Sequence, residues 1–285
     1  MENQQITGIG LVLEGGGMRG VYTAGALDYL LDAGIFLPEI YGVSAGACHA
    51  CSYKSRQRGR AANTVLQFVN NYRYGSFRNL FTTGDYFGKQ FAYYDIPERL
   101  LPFDYDFFRS NPQKLTAVVT DVETGLPAYL ELADLKTDME RLRASSSLPL
   151  LSRMVSIEGR KYLDGGISDP IPLAKSIAGG NIKNILILTR GERYRMPASD
   201  HKALRFWYRK YPAFAQALGS RHKVYNGALE LVSAEKAAGR ALVIRPRSEV
   251  LVGRLEKDIK KLRALYEEGY GDAKAVLEKG GEFFR

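Results

Sequence analysis

Between residues 41 and 46 the chain reads Tyr41-Gly42-Val43-Ser44-Ala45-Gly46. The form G-x-S-x-G bends a chain sharply from a strand into a helix and leaves the serine hydroxyl exposed. Gly42 and Gly46 carry no Cβ, so strand and helix can approach closely around such a strained turn. A glycine-rich turn with a solvated serine has the same three fixed positions. What decides between the two is whether the rest of the chain supplies the other parts a nucleophile needs.

Upstream, residues 8–20 read GIGLVLEGGGMRG. Ile9 to Leu13 form the short apolar run of a buried parallel strand. Gly15, Gly16 and Gly17 break that run, and Val21 to Ala33 then follows helical spacing, giving the order strand, glycine loop, helix. Gly15-x-Gly17-x-x-Gly20 also fits a dinucleotide-binding fingerprint, which wants an acidic residue at the end of a second strand. The second strand, Ile40 to Val43, runs into Ser44 instead. The loop serves better as a set of backbone N–H donors at a helix N-terminus, the arrangement an oxyanion on a tetrahedral intermediate requires. Arg19, just beyond it, either braces the loop by hydrogen bonding or meets an anionic head group.

A serine hydroxyl needs a base to take its proton, and the chain has only three histidines. His49 falls on the same expected helix as Ser44 (Ala45 to Tyr53) and is rotated away from it. His201 and His222 sit in a basic segment outside any strand end. A carboxylate remains. Asp164 follows an expected strand and precedes Gly165-Gly166, which lets it approach another backbone closely, and burial would raise its pKa toward that of a useful base. Asp85, Asp104 and Asp121 share the residue type without that setting. Cys48 and Cys51 form a C-x-x-C, yet on a buried helix small Cys and Ala side chains serve packing, and two Cys with one His do not complete a zinc site.

The remaining pattern is mixed. Residues 68–108 are about one-third aromatic, against 11% for the whole chain. They form either an irregular, aromatic-packed part of the core or the wall of an acyl-chain pocket or membrane-facing edge. Lys114 to Leu132 reads as a hairpin turning at Glu123-Thr124-Gly125, and Val155 to Tyr162 as another with Gly159 in its turn. Arg141 to Ser147 is expected to be helical, a helix start is expected at Asp169 to Leu173, and Ile182 to Thr189 and Ala241 to Arg245 are expected strands. Arg193 to Lys223 is basic and aromatic. Leu251, Leu255, Ile259, Leu262 and Leu265 keep helical spacing.

Three blocks in this order, Gly15-Gly16-Gly17-Met18-Arg19-Gly20, Gly42-Val43-Ser44-Ala45-Gly46 and Asp164-Gly165-Gly166, resemble the signature blocks of the patatin-like phospholipases. Ala144-Ser145-Ser146-Ser147-Leu148-Pro149 and Asp121-x-Glu123-Thr124-Gly125 resemble further family segments. Glu14 stands where many members have Asp. The resemblance covers roughly residues 8–190 and implies a three-layer α/β/α fold with a mainly parallel central sheet. It also implies a Ser-Asp dyad of Ser44 and Asp164 and an oxyanion hole at Gly15, Gly16 and Gly17. Residues 191–285 are expected to add a basic, mostly helical segment that packs on the core or caps the site.

The expectation is therefore a lipid acyl hydrolase needing neither metal nor cofactor, acting on a lipid ester. An acyltransferase with the same dyad and a non-catalytic lipid- or nucleic-acid-binding protein are the alternatives. At 285 residues with a net charge of +9 and a pI near 9.4, the chain favours an anionic partner. That suits contact with an anionic membrane surface better than nucleic acid. The polar start Met1 to Gln5 lacks a basic region followed by an apolar one, so the expected location is cytoplasmic or peripheral to the inner face of the membrane.

Overall fold

Ile9, Leu11 and Leu13 bury into one side of a sheet and Val12 into the other. A strand with apolar residues on both faces needs helices on both, and the chain supplies them. The computed structural model describes residues 8–198, 202–247 and 250–284; His201 and the start Met1 to Gln5 lie outside the described residues.

The first half alternates strand and helix. Strand β1 (Ile9–Leu13) leads through a single 3-10 turn, Gly17–Gly20, into α1 (Val21–Asp32). Then β2 (Glu39–Val43) leads into α2 (Ala45–Lys54). The aromatic region carries three short helices, α3 (Arg60–Phe68), α4 (Phe77–Thr83) and α5 (Tyr105–Ser110), with a π-helical stretch at Phe91–Leu100 before α5. The expected hairpins follow as β3 (Lys114–Asp121) with β4 (Pro127–Glu131), and β5 (Val155–Ile157) with β6 (Arg160–Asp164). Helix α6 (Leu135–Ser145) lies between them, and α7 (Leu173–Ala178) precedes β7 (Lys183–Ile187). Beyond residue 191 come α8 (Lys202–Trp207), the long α9 (Pro212–Ala237), β8 (Ala241–Ile244) and α10 (Ile259–Lys279).

The strands form one eight-stranded sheet in the order β5-β6-β3-β2-β1-β7-β8, with β4 also on β3. The five strands from β3 to β8 are mutually parallel, and β4, β5 and β6 are antiparallel additions. Helices α1, α2, α6 and α10 cover one face through residues such as Tyr22, Leu27, Ala47, Leu142 and Leu262. Helices α7 and α9 cover the other through Leu173, Tyr225, Leu229 and Val232. This is a three-layer α/β/α fold. Residues 191–285 are woven into it, since β8 extends the sheet and α10 lies against α1.

One sequence expectation needs correcting. Leu251 and Leu255 are not on the last helix. Asp258 caps it, its carboxylate accepting from the N–H groups of Lys260 (2.8 Å) and Lys261 (3.3 Å), so the helix begins at Ile259. The residues before it form a loop that runs back to the glycine loop after β1: the Met18 N–H donates to the Arg254 carbonyl at 3.1 Å.

The register at β3 places the site. β4 pairs with Thr116 to Thr120, so β2 and β6 share the opposite edge of β3. There Val43 sits opposite Val118 and Asp164 opposite Val119. The two strands meet end to end, and the residue after β2 emerges beside the last residue of β6.

Candidate active site

That residue is Ser44. Its backbone has φ 55° and ψ −123°, a sparsely populated combination for a side chain with a Cβ, held by the turn between β2 and α2. Gly46 allows the turn: a Cβ there would come within 2.7 Å of the Leu13 carbonyl oxygen. The Ser44 N–H donates to Ser145 Oγ (2.9 Å), which itself donates to the Val118 carbonyl (2.7 Å). Ser145, at the end of α6, fixes the elbow to β3. Sequence reading marked the Ala144 to Pro149 segment without assigning this job.

Asp164 is almost fully buried, at 3% exposure. Its Oδ1 accepts from the Gly166 N–H at 2.7 Å, while Oδ2 is buried without a hydrogen-bond partner. Its backbone is held on both sides, the N–H donating to the Ser147 carbonyl and the carbonyl accepting from Thr120 Oγ1, each at 2.8 Å. Burial pushes its carboxyl above the ordinary value of 3.8. The Ser44 hydroxyl, the Gly166 N–H and the charges of Arg221 and Arg254 oppose that rise. An aspartate with an unpaired, desolvated oxygen next to a strained serine is poised to accept a proton.

The three rival carboxylates have structural duties. Asp121 caps its hairpin turn and pairs with Arg160 at 2.7 Å. Asp85 accepts from the Arg153 N–H, and Asp104 caps α5. His49 is buried on α2, where burial pushes its imidazole down to about 4 and keeps it neutral.

Gly15 lies against the serine: a Cβ there would sit 3.0 Å from Ser44 Cβ. Among the described residues the N–H groups of Gly15, Gly16, Gly17 and Ala45 have no hydrogen-bond partner. Gly17 has φ +58°, and a Cβ on it would meet the Arg254 carbonyl oxygen at 2.6 Å, so glycine is required there on two counts. Glu14 anchors the loop. Its Oε2 accepts from the Thr189 N–H at 2.6 Å and its Oε1 from the Tyr225 hydroxyl at 2.7 Å. The Glu in place of the commoner Asp thus ties the loop to the end of β7 and to α9. Arg19 does not brace the loop through its Nε, which is buried without a partner.

Two cavities meet at Ser44. The larger, of about 150 Å³, runs along the face of α2 past Ala45, Cys48 and Ser52 and is walled by Tyr74, Phe87, Tyr93 and Phe103. The aromatic stretch therefore divides: those four line this cavity, Phe91 and Phe108 fill the core, and Tyr72, Phe77, Phe81 and Phe107 face solvent. Cys48 and Cys51 are free thiols; Cys48 Sγ lies 3.2 Å from Ser146 Oγ, and burial pushes its thiol up to about 11. The smaller cavity, of about 40 Å³, is bounded by Ser44, Asp164, the glycine loop and several arginines.

Comparison with known proteins adds the family. The Patatin-like phospholipase family model matches residues 11–175, over half of the chain. The chain belongs to the patatin-like phospholipases. A second model, of a domain of unknown function (DUF6363), matches residues 211–285. "Uncharacterized protein YjjU" of Escherichia coli (strain K12) is 29% identical to this patatin-like chain over 187 residues, 64% of the chain and 52% of the relative. The chain thus spans about half the length of that curated relative. Among solved structures, VipD from Legionella pneumophila aligns with a TM-score of 0.47 at 13% identity, over 95% of this chain and 67% of that one. Among the described residues no helix is long and apolar enough to cross a membrane, and no group of three His, Cys, Asp or Glu side chains could hold a metal ion.

Ser44, Asp164 and the glycine loop, all singled out by their sequence setting, lie together around one cavity. The sequence carries no comparable signal for the free Ala45 N–H beside the serine, for Ser145 or Tyr225, or for the arginines at 190, 221 and 254. For the arginines the only sequence signal was a basic stretch.

Proposed function

We propose that the chain is a lipid acyl hydrolase working through a Ser44–Asp164 dyad. The observation that carries this reading is the unpaired, buried Oδ2 of Asp164 beside the hydroxyl of an elbow serine. Ser44 Oγ attacks the ester carbonyl as its proton passes to Asp164. The tetrahedral oxyanion is held by the free N–H groups of Gly15, Gly16, Gly17 and Ala45. Collapse returns the proton to the departing alcohol and leaves the acyl group on Ser44. A water molecule, deprotonated by the same Asp164, then releases the carboxylic acid and restores the serine.

The apolar cavity is the place for the acyl chain. At about 150 Å³ it matches a cavity that takes up benzene, so an acyl chain of roughly six carbons fits without side-chain movement. Residues 8–190 supply the reacting groups, and residues 191–285 close the site from the far side of the glycine loop. A fluorophosphonate serine probe tests the reading. The wild-type protein should be labelled and Ser44→Ala should not; an unlabelled wild type with an intact fold would refute it.

A further inference from the structure

Arg19, Arg190, Arg221 and Arg254 converge on the smaller cavity beside Ser44. They come from four separate places: the 3-10 turn after β1, the segment after β7, α9, and the loop before α10. Among the described residues only Arg221 of the four is anchored by a hydrogen bond, its Nε donating to the Gly166 carbonyl at 2.6 Å. Among the described residues Arg19, Arg190 and Arg254 make no ion pair, and Arg190 rests on the Tyr194 ring at 4.5 Å. Arg19 is 6% exposed and its Nε has no acceptor. Buried donors are normally satisfied, and one that is not marks a place for a missing partner.

The charges point the same way. Two carboxylates face the four guanidinium groups, Glu14 and Asp164. Glu14 already uses both oxygens on Thr189 and Tyr225. Among the described residues two positive charges remain uncompensated even with Asp164 ionised. Burial, and then the charges of Arg190 and Arg254, push the Arg19 guanidinium down to about 10. Holding like charges together is unfavourable unless a bound anion relieves it.

Size narrows the anion. A cavity of about 40 Å³ holds roughly three water-sized groups, enough for the oxygens of one phosphate and too small for a sugar. A phosphate monoester carries about −1.5 to −2 charge at neutral pH, matching the uncompensated charge, and planar guanidinium groups bind phosphate oxygens in pairs.

We infer that this cavity is a phosphate subsite, and that the substrate is a single-chain acyl ester whose alcohol bears a phosphate close to the scissile carbonyl. The acyl chain occupies the apolar cavity, the carbonyl lies at Ser44, and the phosphate sits among the arginines. The ester part of this assignment rests on the hydrolase reading; the anion binding does not.

The two are separated by measuring binding to Ser44→Ala, which cannot turn substrate over. Titration calorimetry with 1-hexanoylglycerol 3-phosphate and with neutral 1-hexanoylglycerol should show the phosphate ester binding at least tenfold more tightly. Arg190→Gln, at a half-buried position, and Arg254→Gln, at an exposed one, should each weaken the phosphate ester by roughly 10- to 100-fold, the loss expected of one charge-assisted contact. Circular dichroism checks their fold. Inorganic phosphate should displace the phosphate ester. Equal affinity for the two esters, or arginine variants that bind the phosphate ester normally, would overturn the subsite. Inorganic phosphate that binds without displacing the ester would make the cavity a free-phosphate site and overturn the substrate assignment. A wild type that cleaves neither ester, while Ser44→Ala still discriminates, would sink the hydrolase reading and the ester assignment together, leaving an anion-binding site.

Discussion

Helices α1 and α10 cross in near-contact of their backbones, and that crossing sets a sharp test. A Cβ built on Gly269 would come within 2.8 Å of the Tyr22 carbonyl carbon and 3.0 Å of its Cα, and closer still to its oxygen. The carbonyl oxygen is the closest of these atoms and sets the clearance, so Gly269→Ala must push the helices apart by roughly 1 Å. The Tyr22 hydroxyl, which donates to Asp272 Oδ2 at 3.0 Å, would then be stretched beyond a useful hydrogen bond. Overpacking costs about 1–3 kcal/mol, and a lost bond to a carboxylate about 1.5–3 kcal/mol. Alanine's better helix propensity returns about 1 kcal/mol. The net is a destabilisation of about 1.5–5 kcal/mol. Gly271, two residues on, has nothing within 4 Å of its would-be Cβ, so Gly271→Ala should keep only the propensity gain. Thermal denaturation by calorimetry or circular dichroism should show Gly269→Ala melting roughly 3–10 °C lower and Gly271→Ala roughly 2 °C higher. Shifts of the same sign in both variants would refute the close-crossing argument.

Four further outcomes follow from the site. Asp164→Asn should lower kcat on ester substrates by on the order of 100- to 10,000-fold, the usual range for a general base; near-normal turnover would remove Asp164 from that role. Because burial raises the Asp164 pKa, kcat/KM should be full above that raised value and fall as pH drops through it, and an acid limb at or below the ordinary 3.8 would contradict the assignment. The same sign governs stability. Asp164 binds its proton more tightly when folded, so the strain of ionising it is absent at low pH and appears as pH rises through its folded pKa. Asp164→Asn should therefore melt higher than wild type at pH 7, with the gap closing toward acid; a variant that melts lower at pH 7 would count against the strain. Tyr225→Phe removes the donor to Glu14 Oε1 and leaves a buried carboxylate oxygen unpaired, which should cost about 1–3 kcal/mol in denaturant unfolding and slow turnover. Unchanged stability would show that Glu14 is satisfied elsewhere.

The dyad candidates were legible because each sits at a strand end beside glycines, a local signal that survives in one dimension. Their juxtaposition was not. It depends on β2 and β6 meeting along the same edge of β3, a register that no spacing between residues 44 and 164 encodes. The arginine cluster was hidden for the same reason: positions 19, 190, 221 and 254 share no periodicity. The start of α10 was misjudged because Leu251 and Leu255 continue the spacing of the helix by coincidence, while Asp258 holds the cap that ends it. The aromatic stretch was ambiguous in sequence because it does several things: neighbouring rings pack the core, line the cavity and face solvent.

The loop that carries Arg254 to the carbonyl contact with Met18 also sets an order of events. Asp164 and Arg254 are about 90 residues apart, so during synthesis at about 5–20 residues per second the serine and its partner emerge roughly 5–18 s before that loop does. Until then the glycine loop lacks its clamp, β7 has an open edge awaiting β8, and the cavity lacks one of its four positive charges. A nascent chain thus carries Ser44 and Asp164 before the glycine loop has its clamp, and the geometry on which the proposed reaction depends is complete only once the Arg254 loop has folded back onto that glycine loop.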